Sequence, residues 1–353
     1  MTYKEALLFI GKCLTISREP ENHKIVLKQV NSDQIDWDLI VQLSTAHYVF
    51  PALYINLYRA NLLSYLPEDL VGYMKHITDV NRERNTEIIA QAKKLNTLLS
   101  QHRISPIFLK GTGFLLQELY EDIGERMVGD IDFLVSKQDY EKTISILEKD
   151  GYEYVSKSEY HFPAFKHYPR IHKEGEIAAV EIHHEMTLDA YQKAFHFEAV
   201  ANSLLQNEIG SFLSWENQLV LTLIAKQIND YGHHYKTMSL RSGYDVFLLS
   251  KKIDSLNAIL VYPSLFQPLN NFLALTSFVF HTDSIIFESN SKSNQSLKVS
   301  KRVLDEEIFR KKHHKKAAKK VYLKTRTKII LKALVKKEYR YWLYKRLTDS
   351  KKK

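Results

Sequence analysis

The sequence predicts an α+β protein in which a small mixed sheet is flanked on both sides by helical regions. Three observations predict it. Apolar residues recur at three- and four-residue spacing through the first hundred residues, and again from Leu188 to about Phe280. Between Ile104 and Met186 the pattern changes to short apolar or alternating runs punctuated by glycine and polar turns. The last fifty residues are dominated by Lys and Arg. These shifts divide the chain into an N-terminal helical region at 1–101, an α/β core at 102–187 and a second helical region at 188–286. A linker at 287–300 and a basic helical tail at 301–353 complete it.

In the first region, residues 3–16 and 36–60 read as helices, and 66–101 as a long amphipathic helix with room for one break. The core opens with a strand at 106–109, a tight turn marked by Gly111 and Gly113, and a helix from Phe114. A polar loop at 121–129 leads into a second strand at 130–135. Residues 137–150 are helical and stop at Gly151, a C-terminal glycine. Three further strands follow at 152–160, 165–173 and 178–186, with Gly175 in the turn between the last two. The serine- and asparagine-rich run at 288–296 has the composition of a linker.

Apolar residues make up 44% and charged residues 26%, the proportions of a globular protein with a full core. A single cysteine, Cys13, excludes an intramolecular disulfide and fits a reducing compartment. The first residues do not read as a secretory signal, and the most apolar run, 269–281, falls short of the roughly 20 residues that span a bilayer. A cytoplasmic location is expected. From Lys301 onward 21 Lys/Arg face 5 Asp/Glu, a surplus of +16, so the first 300 residues carry −7 against a total of +9. This asymmetry suggests that the tail meets a polyanion, either nucleic acid or an anionic membrane surface; a solvated helical extension is the plainer alternative.

The chemistry concentrates in two strands. Asp130 and Asp132 are two apart, so their side chains leave one face of the sheet while Ile131, Phe133 and Val135 leave the other. Two neighbouring carboxylates repel and need a cation, and Mg²⁺ takes such hard oxygen ligands. In Val180-Glu181-Ile182-His183 the same alternation puts Glu181 and His183 on one face. Glu181 is the expected third ligand, with Glu185 as its alternative, and His183 either orients a ligand or simply packs. The turn Lys110-Gly111-Thr112-Gly113 offers a cation, a hydroxyl and a close backbone approach to phosphate. It lacks the spacing of a P-loop. Arg126 either reaches a phosphate or steadies its loop through Glu121 or Glu125, and Arg241 and Asp245 are spaced for a pair within one helix.

The stretch from Leu109-Lys110-Gly111 through Arg126 to Gly129-Asp130-Ile131-Asp132, followed by Glu181-Ile182-His183, resembles the nucleotidyltransferase superfamily. It is most similar to the uncharacterised bacterial branch bearing these motifs. The usual Gly-Ser of the superfamily is replaced here by Lys-Gly-Thr-Gly. The resemblance implies a minimal α/β nucleotidyltransferase core, Mg²⁺ and an NTP donor such as ATP. Asp130, Asp132 and Glu181 would then be the catalytic metal ligands, and Lys110, Gly111, Thr112 and Arg126 would contact the nucleotide. The expected reaction moves an NMP from the NTP to a hydroxyl of a small molecule, tRNA or protein, with pyrophosphate release. A non-catalytic nucleotide- or RNA-binding protein on the same fold is the alternative.

Overall fold

The structure, a computed structural model, describes residues 1–32, 34–155, 162 and 165–349. The chain starts with five helices: α1 (Tyr3–Thr15), α2 (Pro20–Val30), α3 (Trp37–Ala46), α4 (Phe50–Arg59) and α5 (Glu68–Gln101). The core contributes β1 (Ile107–Phe108), α6 (Lys110–Leu116), β2 (Asp130–Leu134) and α7 (Tyr140–Lys149). Then come β3 (Glu153–Tyr154), β4 (Ile171–His172), β5 (Ala179–His183) and α8 (Phe197–Ala201). A hairpin, β6 (Leu205–Asn207) and β7 (Gly210–Phe212), precedes α9 (Trp215–Ile224), α10 (Gly232–Tyr235), α11 (Leu240–Ser250), α12 (Ser255–Leu260) and α13 (Phe266–Phe280). Three helices end the chain: α14 (Ser291–Asp305), α15 (Glu307–Val335) and α16 (Lys337–Asp349). Among the described residues no helix is long and apolar enough to cross a membrane.

The sheet is mixed, in the order β3-β4-β5-β2-β1-β7-β6. β2 runs parallel to β5 and β1 parallel to β7, while β1 and β2 are antiparallel. On one sheet face Ile131, Phe133, Val135, Val180 and Ile182 pack against Ile88, Ala92, Leu95 and Leu99 of α5 and Ile144 and Leu147 of α7. A second core is mostly helical, with Ile107 and Leu134 of the sheet, and draws on residues from Ala6 to Leu304. The α+β architecture with helical flanks is as the sequence predicts.

α5 belongs to both cores. Its 34 residues span roughly 50 Å. Met74 packs in the helical core and Ile88 to Leu99 in the sheet core. Its inward amides tie down backbone that would otherwise be unpaired. Asn81 and Asn85 donate to the carbonyls of Gly124, Ile123 and Arg126, at 2.7 Å or less for the first two. Gln91 exchanges two 2.9 Å bonds with the backbone of Ala178, just before β5. These polar residues weaken the amphipathic pattern from which a break was allowed; the helix is continuous.

Several boundaries differ from the sequence reading. Residues 36–60 split into α3 and α4 because Tyr48 adopts a left-handed φ of 57°. α2 was missed; its signal is Pro20 in the first turn. The expected strands at 152–160 and 165–173 shrink to β3 and β4, and residues 156–160 lie outside the described residues. The β6–β7 hairpin extends the sheet past residue 187 into a stretch read as helix. Its strands are too short to show a period, and Asn207, whose side chain accepts from the N–H groups of Ile209 and Gly210, is the turn signal. The two helical regions do not stand apart, since they share one core.

The linker at 287–300 is instead most of α14. Asn290 accepts from the Ser293 N–H at 2.9 Å, and the Ser293 hydroxyl accepts from the Asn290 N–H, a reciprocal cap. Ser293, Ser296 and Ser300 are buried, so the serines that suggested a linker are the small residues that face the rest of the protein. The two turns that follow use one device twice. Glu306 and then Lys336 adopt extended backbone, and Arg310 and Arg340 reach back to the last carbonyls of the preceding helix.

Candidate active site

The parallel pairing of β2 and β5 sets Asp132 directly beside Glu181, and Asp130 beside Ala179. Alternation along both strands sends Ile131, Phe133, Val180 and Ile182 into the sheet core. Asp130, Asp132, Glu181 and His183 therefore share the opposite face. Single oxygen or nitrogen atoms of Asp132, Glu181 and His183 lie within 4.8 Å of one another, a group able to hold a metal ion. Among the described residues it is the group of that kind.

The Lys110 turn fits onto this face. The Leu109 N–H donates to the Asp132 carbonyl at 2.9 Å, continuing the β1–β2 ladder for one residue. The chain then bends sharply, with Lys110 at a left-handed φ of 52°, and enters α6 at once. Lys110 Nζ donates to Asp132 Oδ1 at 2.6 Å. Thr112 Oγ1 donates to the Asp130 carbonyl at 3.0 Å, locking the turn to the strand. The glycines serve packing rather than turning. A Cβ on Gly113 would lie 2.7 Å from the Phe108 carbonyl oxygen, and one on Gly111 3.0 Å from Val128.

Hydrogen-bond donors meet the carboxylates from several sides. His183 Nε2 donates to Asp132 Oδ1 at 2.8 Å, the oxygen that Lys110 also reaches. Arg170, half exposed, bridges Asp130 at 2.6 Å and Glu181 at 3.2 Å. Burial alone would raise the Asp132 carboxyl, but Lys110 and His183 outweigh it and hold it well below the usual carboxylate range. Glu181 is likewise lowered against its burial, first by the His183 hydrogen bond. Burial raises Asp130, helped by Glu181 and Asp132 and opposed by Arg170. Lys110 is raised because Asp132 and Glu181 together overcome its desolvation. Burial drives His167, whose ring stands 4.9 Å from that of His183, down to about 4.

A sheet face of clustered carboxylates can hold a divalent cation of the kind that binds phosphoryl oxygens. Residues 33–275 match the family described as uncharacterised nucleotidyltransferase. The chain belongs to that family. No curated protein and no solved structure matches it.

The nucleotidyltransferase directs two expected site residues elsewhere. Arg126, read as a nucleotide contact or a partner of Glu121 or Glu125, is buried, and its guanidinium forms a two-pronged pair with Asp245 at 2.8 and 3.0 Å. Tyr120 hydrogen-bonds the same carboxylate. Glu121 and Glu125 are taken by Arg18 and Arg59 instead. Arg241 does not pair with Asp245 within α11; its guanidinium lies 4.8 Å from the centre of the Tyr48 ring. Glu185 lies beyond the end of β5 and is held by Lys137 at 2.7 Å, so Glu181 alone of the two faces the aspartates.

Residues that the sequence reading passed over complete the surroundings. Lys166, His167 and Arg170 arrive because the chain before β5 folds back along it, with His167 bridged to His183. The signal was the pair of basic residues Lys166 and Arg170 just upstream of the glutamate strand. Phe165, its ring 4.6 Å from that of His167, and Lys166 also wall a cavity of about 300 Å³. Phe162, Tyr231, Thr187 and Ile329 of α15 are among its other walls. Thr187 is fully buried, and its hydroxyl makes no hydrogen bond among the described residues.

Proposed function

We propose that this nucleotidyltransferase moves an NMP from an NTP to an acceptor hydroxyl with release of pyrophosphate, using Mg²⁺ held by Asp130, Asp132 and Glu181. The observation that carries the reading is the register of β2 and β5, which aligns the second aspartate with the glutamate. Asp132 and Glu181 belong to the group able to hold a metal, and Asp130 borders it, paired with Arg170; the histidine nitrogen of that group is engaged with Asp132, which leaves carboxylate oxygens to meet a hard divalent cation. Bound there, Mg²⁺ would supply charge neutralisation for the triphosphate and for the attacking oxygen.

The chain's own residues do the rest. His183 fixes the rotamer of Asp132 through its 2.8 Å bond. Lys110 and Arg170 balance the carboxylates, and as the cations bordering them they are the groups to receive phosphate oxygens when a nucleotide enters. The backbone N–H groups of Gly111 and Thr112, in the first turn of α6, are further phosphate donors, and the Thr112 hydroxyl holds that turn in place. Arg126 acts at a distance, anchoring the loop before β2 to α11.

The test is pyrophosphate release from each of the four NTPs, with Mg²⁺ or with excess EDTA, in the presence of a cell extract to supply the acceptor. Release from a preferred NTP that EDTA abolishes is the expected result. Mg²⁺-dependent NTP binding by folded protein without release would instead favour a nucleotide-binding protein on this fold.

The neighbouring cavity fits the nucleobase of the donor. Its aromatic walls offer stacking surfaces, and the unpaired Thr187 hydroxyl offers one hydrogen bond. Thr187→Val keeps the shape and leaves no protein partner unpaired. Its expected effect is a rise in KM for the preferred NTP of about three- to tenfold, the worth of one hydrogen bond, with kcat little changed. Steady-state kinetics over the four NTPs would read this directly, and an unaltered KM would place the base elsewhere.

A further inference from the structure

The C-terminal helices lie outside the residues matched to the family, and they carry a surface that the proposed reaction does not use. Residues 307–349 hold 16 Lys/Arg against 3 Asp/Glu. One side of α15 is seated on the protein: Ala317 and Ala333 are buried, Ile329 walls the cavity, and His313 Nε2 lies 3.0 Å from the His234 carbonyl. α16 folds back behind it, with Tyr339 and Trp342 buried and the Trp342 ring 5.2 Å from Phe162.

The outward side is different. Lys312, Lys316 and Lys320 form its first turns at four-residue spacing, and the same helical face continues as Leu323, Ile330, Leu331 and Leu334. Those four apolar side chains are 53–73% exposed, and Val335 beside them is 82% exposed. Tyr341 and Tyr344 of α16 are also exposed, at 60% and 67%. Aliphatic side chains this exposed and this contiguous are unusual on a soluble surface.

We propose that this outward face of α15 and α16 docks on an anionic lipid surface, lying in the interface rather than spanning it. The leucines and isoleucine would enter the headgroup–acyl boundary, while the lysine stems run along it with their ammonium groups at the phosphates. The tyrosines suit the same depth. Nucleic acid fits less well, because a phosphate backbone gives aliphatic side chains nothing to bury against and the aliphatic residues dominate the exposed end of α15. Charge also orients the protein. The first 300 residues carry −7 and would be repelled by an anionic surface, so the basic face is the one that can approach it.

The test uses the full chain in flotation with vesicles of phosphatidylcholine alone or mixed with phosphatidylglycerol. Binding to the mixed vesicles and not to the neutral ones is expected. The double substitution Leu331→Glu/Leu334→Glu, on exposed positions, should cut the partition coefficient at least about tenfold without changing the circular dichroism spectrum. Absence of vesicle binding by folded wild type would overturn the proposal. So would a wild-type dimer that the double substitution converts to monomer, since the face would then belong to a second copy. RNA binding that is equally strong in wild type and double variant, with no lipid binding, would overturn it in favour of nucleic acid.

Discussion

Asp132→Asn is expected to reduce nucleotidyl transfer by on the order of a thousandfold or more, while the protein stays folded. Asparagine keeps the shape of the side chain and an oxygen for Lys110 and His183 to meet, so the ladder between β2 and β5 has no reason to change. What disappears is the charge. Asp132 is the carboxylate that both Lys110 and His183 hold ionised well below the usual range, at the centre of the only metal-capable group among the described residues. Pyrophosphate release with the preferred NTP measures the loss, and a thermal melt of the same sample shows that the fold has survived. Turnover near the wild-type rate would move the chemistry away from this face of the sheet.

The second large effect concerns stability. Arg126→Met is expected to cost about 3–5 kcal/mol, because it strands the buried Asp245 carboxylate that Arg126 holds with two hydrogen bonds. Asp245 is 2% exposed, and the Tyr120 hydroxyl that remains beside it cannot neutralise it. Removing both charges, as in Arg126→Met/Asp245→Leu, should recover part of the loss, since no unpaired charge is then left inside. Urea unfolding of both single variants, the double variant and wild type reads both effects. A double variant as unstable as the sum of its single changes would mean that the pair does not act as a unit.

The aspartates were legible because a strand's alternation is local: two residues apart means one face, whatever the rest of the chain does. Glu181 followed from the same rule applied to a second strand. What puts the two side by side, the parallel register, is not local and no spacing shows it; the resemblance implied only that the three carboxylates act together. Arg126 shows the opposite case. Its position was visible, but its partner lies 119 residues away on α11, and the nearer glutamates looked equally good until the fold showed them occupied. α14 was misread for a third reason. Serine is compatible with solvent and with close helix packing, and composition cannot separate the two. The same limit hid β6 and β7, whose three-residue strands are shorter than any period that would reveal them.

The length of α5 has a further consequence. One helix supplies side chains to the core beneath the sheet and to the core among the helices, and its inward amides hold the segment before β2 and the residue just before β5. Loosening either core would fray this shared element and so take packing from the other. The two halves of the molecule are thereby made a single cooperative unit, with no easy partial melting between them. Asp130, Asp132 and Glu181 stand on strands referenced to that one rod, so spreading them apart would mean loosening both cores.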